Sequence, residues 1–206
     1  MLTLYHAPQS RSSRIMQMIH ALGIEDRVEI RIVDIPRRDG SGRTDPDNPH
    51  PEGKVPLLVH DGVEIRETNA IMLYLSDMFP KPGFAPVVGD ADRGAYLSWL
   101  FWYGNVMEPV LIHHAAALSH PILEVTFRGV PEMTARLTRA LADGPFLMGE
   151  SYTAADLLCA SPYMWFGEDD LPRDALVAGW VARCSAVDAV AWAGAYDVAR
   201  MAERAA

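Results

Sequence analysis

Residues 53–62 read GKVPLLVHDG, and VEI follows at 63–65. Two apolar runs, Val55 to His60 and Val63 to Ile65, flank Asp61-Gly62. This pair favours a two-residue hairpin, because Asp and Gly tolerate the positive φ angles that such a turn needs. Downstream, Ile71, Tyr74, Leu75 and Met78 recur at helical spacing until Phe79-Pro80-Lys81-Pro82-Gly83 breaks the chain. Upstream, residues 35–54 are rich in Pro, Gly, Asp, Arg and Asn, which predicts a long exposed loop of the kind that often carries function. Before it, Val28, Ile30 and Ile32 alternate as in a strand, while Ile15, Met18, Ile19 and Leu22 repeat as in a helix that Gly23 closes with a left-handed cap. Leu2 to Tyr5 reads as a short buried strand. A strand, helix, strand unit makes its two strands parallel.

The remainder is helical in pattern: 91–118, 131–143, 153–165 and shorter stretches from 174 onward, with Pro109 placed to kink or break the first of them. The expected organisation is a mixed domain over 1–80, a linker over 81–89 and an all-helical domain over 90–206. The acidic stretch GEDDLPRD at 167–174 reads as a solvated loop.

Half of the 206 residues are hydrophobic, enough for a packed core, and the formal charge is -9. Twelve acids face nine bases in residues 1–80, and fifteen face nine in 81–206. Neither half has the basic surplus that nucleic acid or an anionic membrane would require. Cys159 and Cys184 are too few for a disulfide framework and suggest a reducing compartment. The start, MLTLYHAPQSR, lacks both a basic segment and a long apolar run, so a soluble cytoplasmic protein is expected. His113, His114 and His120 are the histidines that invite a metal, but neighbours on a helix point apart, and no metal site is expected.

GKVPLLVHDG at 53–62, ETNAIMLYL at 67–75 and TAADLL at 153–158 together resemble the cytosolic glutathione transferases, in the order that family shows and over essentially the whole chain. Within that family the chain resembles serine-type bacterial members near the theta, delta and beta classes. The resemblance implies an α/β, thioredoxin-like amino-terminal domain followed by an all-α helical bundle. It implies glutathione as co-substrate without metal or prosthetic group, a small apolar electrophile as second substrate, a homodimer and a role in detoxification. Pro56 would be cis, turning the backbone of Val55 toward the cysteinyl part of glutathione. Glu67 and Thr68 would receive the γ-glutamyl end: helix-start N–H groups bind its carboxylate and Glu67 faces its ammonium. Read alone, Thr68 is an ordinary helix cap. Lys54 would hold the glycyl carboxylate, with Arg37 and Arg38 as alternatives. Tyr103 and Met107, within SWLFWYGNVME at 98–108, would line the electrophile pocket.

The cluster QSRSSR at 9–14 then acquires a purpose, because the turn after the first strand faces the sulfur in this family. Ser10 has the spacing of the catalytic serine, Ser12 is the alternative, and Ser13 is expected to cap the helix. Tyr5 is expected to point into the core. A free thiol ionises near 8.5, so only a few per cent is thiolate at neutral pH. A hydrogen bond to a charged acceptor is worth about 1.5–3 kcal/mol, enough to lower that value by roughly one to two units. Two alternatives remain: glutathione-dependent disulfide reduction or peroxide removal, and a binder that keeps the fold without turnover. A serine hydrolase is disfavoured because no G-x-S-x-G elbow is present. Thr153-Ala-Ala-Asp156 reads as a reciprocal helix cap with a structural role.

Overall fold

The computed structural model describes residues 1–167 and 171–205; within the acidic stretch, residues 168–170 lie outside the described residues. The chain forms two compact units, Met1–Phe79 with Asp188–Ala206, and Pro80–Val187.

The first unit holds a four-stranded sheet in the order β2-β1-β3-β4. Strands β1 (Leu2–His6) and β2 (Val28–Ile32) are parallel, joined by α1 (Ser13–Leu22). Gly23 closes α1 at φ 72 and ψ 42, its N–H donating to the Ile19 and His20 carbonyls. Strands β3 (Leu57–His60) and β4 (Val63–Ile65) form the expected hairpin, with Asp61 and Gly62 both at positive φ. Residues 33–56 contain turns but neither helix nor strand. Helix α2 (Thr68–Met78) follows the hairpin. Leu4, Ile15, Met18, Ile19, Leu58, Ile71 and Leu75 form the buried centre. Tyr5, expected inside, is only half-buried, because its ring lies beneath the Arg31 guanidinium across the β1–β2 pair.

Helix α9 (Asp188–Ala205) completes this unit by packing on α1. Sequence reasoning assigned all of 90–206 to one helical domain; the contacts instead place 188–206 with the first unit. The physical reason is a buried stripe on α9, where Ala189, Ala193 and Asp197 recur every four residues and so share one face.

The second unit contains α3 (Arg93–Trp102), α4 (Glu108–Ala115), α5 (Pro121–Phe127), α6 (Val130–Leu141), α7 (Ala154–Ala160) and α8 (Ala175–Ser185). Between α3 and α4 lies a π-helical turn, Tyr103–Met107, in which the Glu108 N–H donates to the Tyr103 carbonyl. Pro109 causes it: with no N–H to give and a ring that crowds the preceding turn, it forces a wider helical register just ahead of itself. Arg136 on α6 lies 4.9 Å from the Trp99 ring and 4.6 Å from the Trp102 ring, and burial lowers its pKa. Among the described residues no single helix is long and apolar enough to cross a membrane.

Candidate functional site

Three segments of the first unit supply the polar groups: the β1–α1 turn, the approach to β3, and the start of α2. At the approach to β3 the Val55–Pro56 peptide bond is cis and both residues are buried. The preceding Lys54 is exposed and pairs with Glu52. That bond raises the lysine pKa; Glu67 adds to the effect and Arg11 opposes it. Lys54 thus feels the charge of one residue from each of the other two segments, Glu67 and Arg11. Arg37, the alternative cation, is already committed: its guanidinium donates to the Pro8 carbonyl at 2.7 Å and the Gln9 carbonyl at 3.1 Å, tying the long loop to the β1–α1 turn.

At the start of α2 the cap position is Glu67, not Thr68. Glu67 sits at φ 70 and ψ 124 and makes no side-chain cap bond, which makes Thr68 the first helical residue. A left-handed φ on a residue with a Cβ is strained, and such strain gathers where ligands are gripped. Beyond Glu67 at the cap, the first turn of α2 contains no acid.

In the β1–α1 turn the serines separate into distinct roles. Ser12 is fully buried, and its hydroxyl meets only internal partners: His6 Nδ1 at 2.7 Å, Ser10 Oγ at 2.8 Å, the Ala7 N–H at 3.1 Å and the Ala7 carbonyl at 3.2 Å. Ser10 is half-buried; its hydroxyl lies 2.7 Å from the Ala7 carbonyl and accepts from the Ser12 N–H at 3.1 Å. Ser13 does not cap α1 as expected. Ser12 occupies the cap position with helical angles, φ -70 and ψ -17, which frees the Ser13 hydroxyl to donate to Asp197 at 2.6 Å.

Asp197 and His6 are the groups that sequence reasoning missed. The Asp197 carboxylate accepts from His6 Nε2 at 2.8 Å, from the Gln9 N–H at 2.7 Å and from Ser13. Burial pushes its pKa up, but the bonds from His6, Ser13 and Gln9 outweigh burial and hold it below the ordinary carboxylate range. The available signal was an acid in register with Ala189 and Ala193 on an otherwise apolar stripe. Its partner, however, lies 191 positions away.

In the second unit Tyr103 is 1% and Met107 0% exposed, and both pack in the core. A separate cavity of about 760 Å³ lies between α4, α5 and α6, lined by Val110, His113, Phe127, Thr134 and Arg173 among others, and Tyr103 and Met107 are not part of its wall. Both residues belong to the π-helical turn between α3 and α4. His113 packs edge-on to Phe127, and His120 caps α5, accepting from the Ile122 N–H. Among the described residues no cluster of three or more His, Cys, Asp or Glu is arranged to hold a metal. Cys159 and Cys184 are buried, and burial raises the pKa of the Cys184 thiol.

Residues 1–77 match the family model described as glutathione S-transferase, N-terminal domain. An uncharacterized GST-like protein of Streptococcus mutans is 30% identical over 141 residues, 63% of this chain and 50% of that protein, so the match spans half that relative's length. The disulfide-bond oxidoreductase YfcG of Escherichia coli is 28% identical over 174 residues, 77% of each chain. A sphingomonad glutathione S-transferase crystallised with glutathione has the same fold, with a TM-score of 0.71 and 23% identity over 95% of this chain and 98% of that one.

Proposed function

From the premise that this chain belongs to the glutathione transferase superfamily, we propose that it binds glutathione in its first unit and transfers the thiolate to a small apolar electrophile. The observation that carries this reading is the half-buried Ser10 hydroxyl of the β1–α1 turn, in the same unit as the cis Val55–Pro56 bond and as a Lys54 that feels the charges of Glu67 and Arg11. The glycyl carboxylate pairs with Lys54, which exchanges Glu52 for the ligand. The backbone of Val55, beside Pro56, serves the cysteinyl unit, and the γ-glutamyl carboxylate takes the N–H groups that begin α2 at Thr68, with Glu67 facing the ammonium. Ser10 meets the sulfur, because Ser12 is closed off by its internal partners. A donated O–H lowers the thiol pKa by roughly one to two units, raising the thiolate fraction on the order of tenfold at neutral pH. A homodimer belongs to this reading on the resemblance alone.

The test is ultraviolet absorbance of the bound thiolate. Ser10→Ala should abolish it at neutral pH while glutathione affinity stays nearly intact; loss of absorbance in Ser12→Ala but not in Ser10→Ala would refute the assignment. Failure of the wild-type protein to bind glutathione at all would leave the non-catalytic binder as the better reading.

A second reading, glutathione-dependent disulfide reduction, is favoured by the likeness to the Escherichia coli oxidoreductase. Both cysteines are buried in the second unit, so the exchange would run between two glutathione molecules and the substrate, without a protein mixed disulfide. Hydroxyethyl disulfide and an aryl halide assayed side by side separate the two activities.

A further inference from the structure

A line of buried polar atoms runs from Asp197 on α9, through His6 on β1 and Ser12, to Ser10 at the ligand end. It contains the order carboxylate, imidazole, hydroxyl that serine hydrolases use, yet the hydroxyl reached by the imidazole is sealed from substrate. Its outlet is Ser10 instead, 2.8 Å further on.

Counting protons shows what this chain can do. The Asp197 carboxylate is an acceptor, so the neutral imidazole carries its hydrogen on Nε2 and leaves Nδ1 as an acceptor. Ser12 then donates to Nδ1, and its two acceptor sites are filled by the Ala7 N–H and the Ser10 O–H. Ser10 accepts from the Ser12 N–H, which leaves one acceptor site open to solvent or to a thiol S–H. If His6 instead carries two hydrogens, Nδ1–H donates to Ser12, Ser12 donates to Ser10, and the Ser10 O–H is released to point outward. The Ala7 carbonyl, within 2.7 Å of Ser10 Oγ and 3.2 Å of Ser12 Oγ, is the competing acceptor in both arrangements. The two arrangements differ by one proton and by the direction of each hydroxyl.

The geometry points to the His6–Asp197 pair as the proton acceptor for glutathione's thiol, reached through Ser12 and Ser10. This rests on the reading of Ser10 as the thiol's partner. In the step, the S–H bond breaks and its proton bonds to Ser10 Oγ. The Ser10 proton passes to Ser12 Oγ, and the Ser12 proton passes to His6 Nδ1. No electrons are exchanged. The products are a thiolate, an imidazolium and the Asp197 carboxylate, with Ser10 now donating to the sulfur it has just relieved of a proton. His6 and Asp197 act through Ser12 and Ser10 and touch no substrate, so they are positioning residues. The groups facing the imidazole from the surrounding elements are Asp197 and the Tyr196 ring, at 6.1 Å, from α9, and Ser12 from the turn. The bonds from Ser13 and Gln9 keep Asp197 ionised and in place.

The experiment uses the full chain with glutathione. Calorimetry in buffers of different ionisation enthalpy counts the protons released on binding, and ultraviolet absorbance counts the thiolate formed. In the wild type, thiolate should form with far less than one proton released per thiolate. Asp197→Asn should keep glutathione affinity within about twofold, raise the midpoint of thiolate formation by about one pH unit and release one proton for each thiolate it does form. Ser12→Ala interrupts the line without disturbing the α9 contact and should behave the same way, which covers the case in which Asp197→Asn does not fold. A full proton released per thiolate by the wild type overturns the proposal, as does an unmoved midpoint in folded, glutathione-binding variants. If Ser10→Ala also leaves the midpoint unmoved, the Ser10 reading itself has failed; if Ser10→Ala alone moves it, only the relay has.

Discussion

Replacing Asp156 by alanine should unfold the second unit before it affects glutathione binding. The Asp156 side chain is fully buried and accepts four hydrogen bonds: from Leu147 N–H at 2.8 Å, Trp180 Nε1 at 2.9 Å, Thr153 N–H at 2.9 Å and Thr153 Oγ1 at 2.7 Å. Bonds to a charged acceptor contribute about 1.5–3 kcal/mol each, roughly 6–12 kcal/mol gross for the four. Burial of the charge offsets much of that, and its size is visible in the carboxyl itself: burial raises the Asp156 pKa despite all four bonds. Alanine removes both contributions but leaves the Leu147, Thr153 and Trp180 N–H groups buried without an acceptor, so the expected net loss is about 3–5 kcal/mol. Asparagine keeps one oxygen for Leu147 and Trp180 and turns an N–H toward the Thr153 N–H, so it should cost about half as much. Urea unfolding followed by tryptophan fluorescence reads the change, since Trp180 is itself a partner. A loss below about 1 kcal/mol for Asp156→Ala would show that the cap is not what holds this unit together.

Other outcomes follow from the same geometry. Between α1 and α9, burial lowers the His20 pKa but its bonds to Asp188 and Glu25 outweigh burial and raise it. The stabilisation is therefore complete below the unfolded value of about 6.5 and is lost as pH rises through the higher folded value. A pH series of thermal melts should show this loss, and His20→Gln should remove it. Asp197 has the opposite sign: its contribution is present above the ordinary carboxylate value and fades as pH falls through the lower folded one, so Asp197→Asn should flatten the acid limb of the stability profile. Gly42→Ala places a Cβ 2.1 Å from the Ile35 carbonyl at a residue with φ +73; the loop must rearrange, Arg37 should leave the Pro8 and Gln9 carbonyls, and glutathione affinity should fall in a calorimetric titration. Light scattering at micromolar concentration checks the homodimer.

What the sequence disclosed and what it concealed divide by distance along the chain. The Asp61-Gly62 turn, the Gly23 cap, the break at Pro109 and the Thr153–Asp156 cap each depend on neighbours within a few residues, and each is legible without coordinates. Ser10 and Ser12 are a harder pair, since both lie in one short turn and only burial separates them. The Glu67 cap needed a backbone angle that Glu seldom adopts, so residue preferences favoured Thr68 instead. Tyr103 and Met107 sit on a π-helical turn, a register that local spacing does not announce and that shifts which residues share a face. Asp197 was out of reach, because nothing local ties an acid on the last helix to a histidine on the first strand.

Because residues 188–205 pack on α1, the sheet of the first unit is synthesised well before the helix that completes it. A ribosome releasing residues 1–79 delivers a sheet and two helices whose buried His6 still lacks its carboxylate. Segments made early must wait, with an incomplete interior, while the whole of the second unit emerges. A fragment ending at Phe79 would be short of a wall rather than merely short of a neighbour.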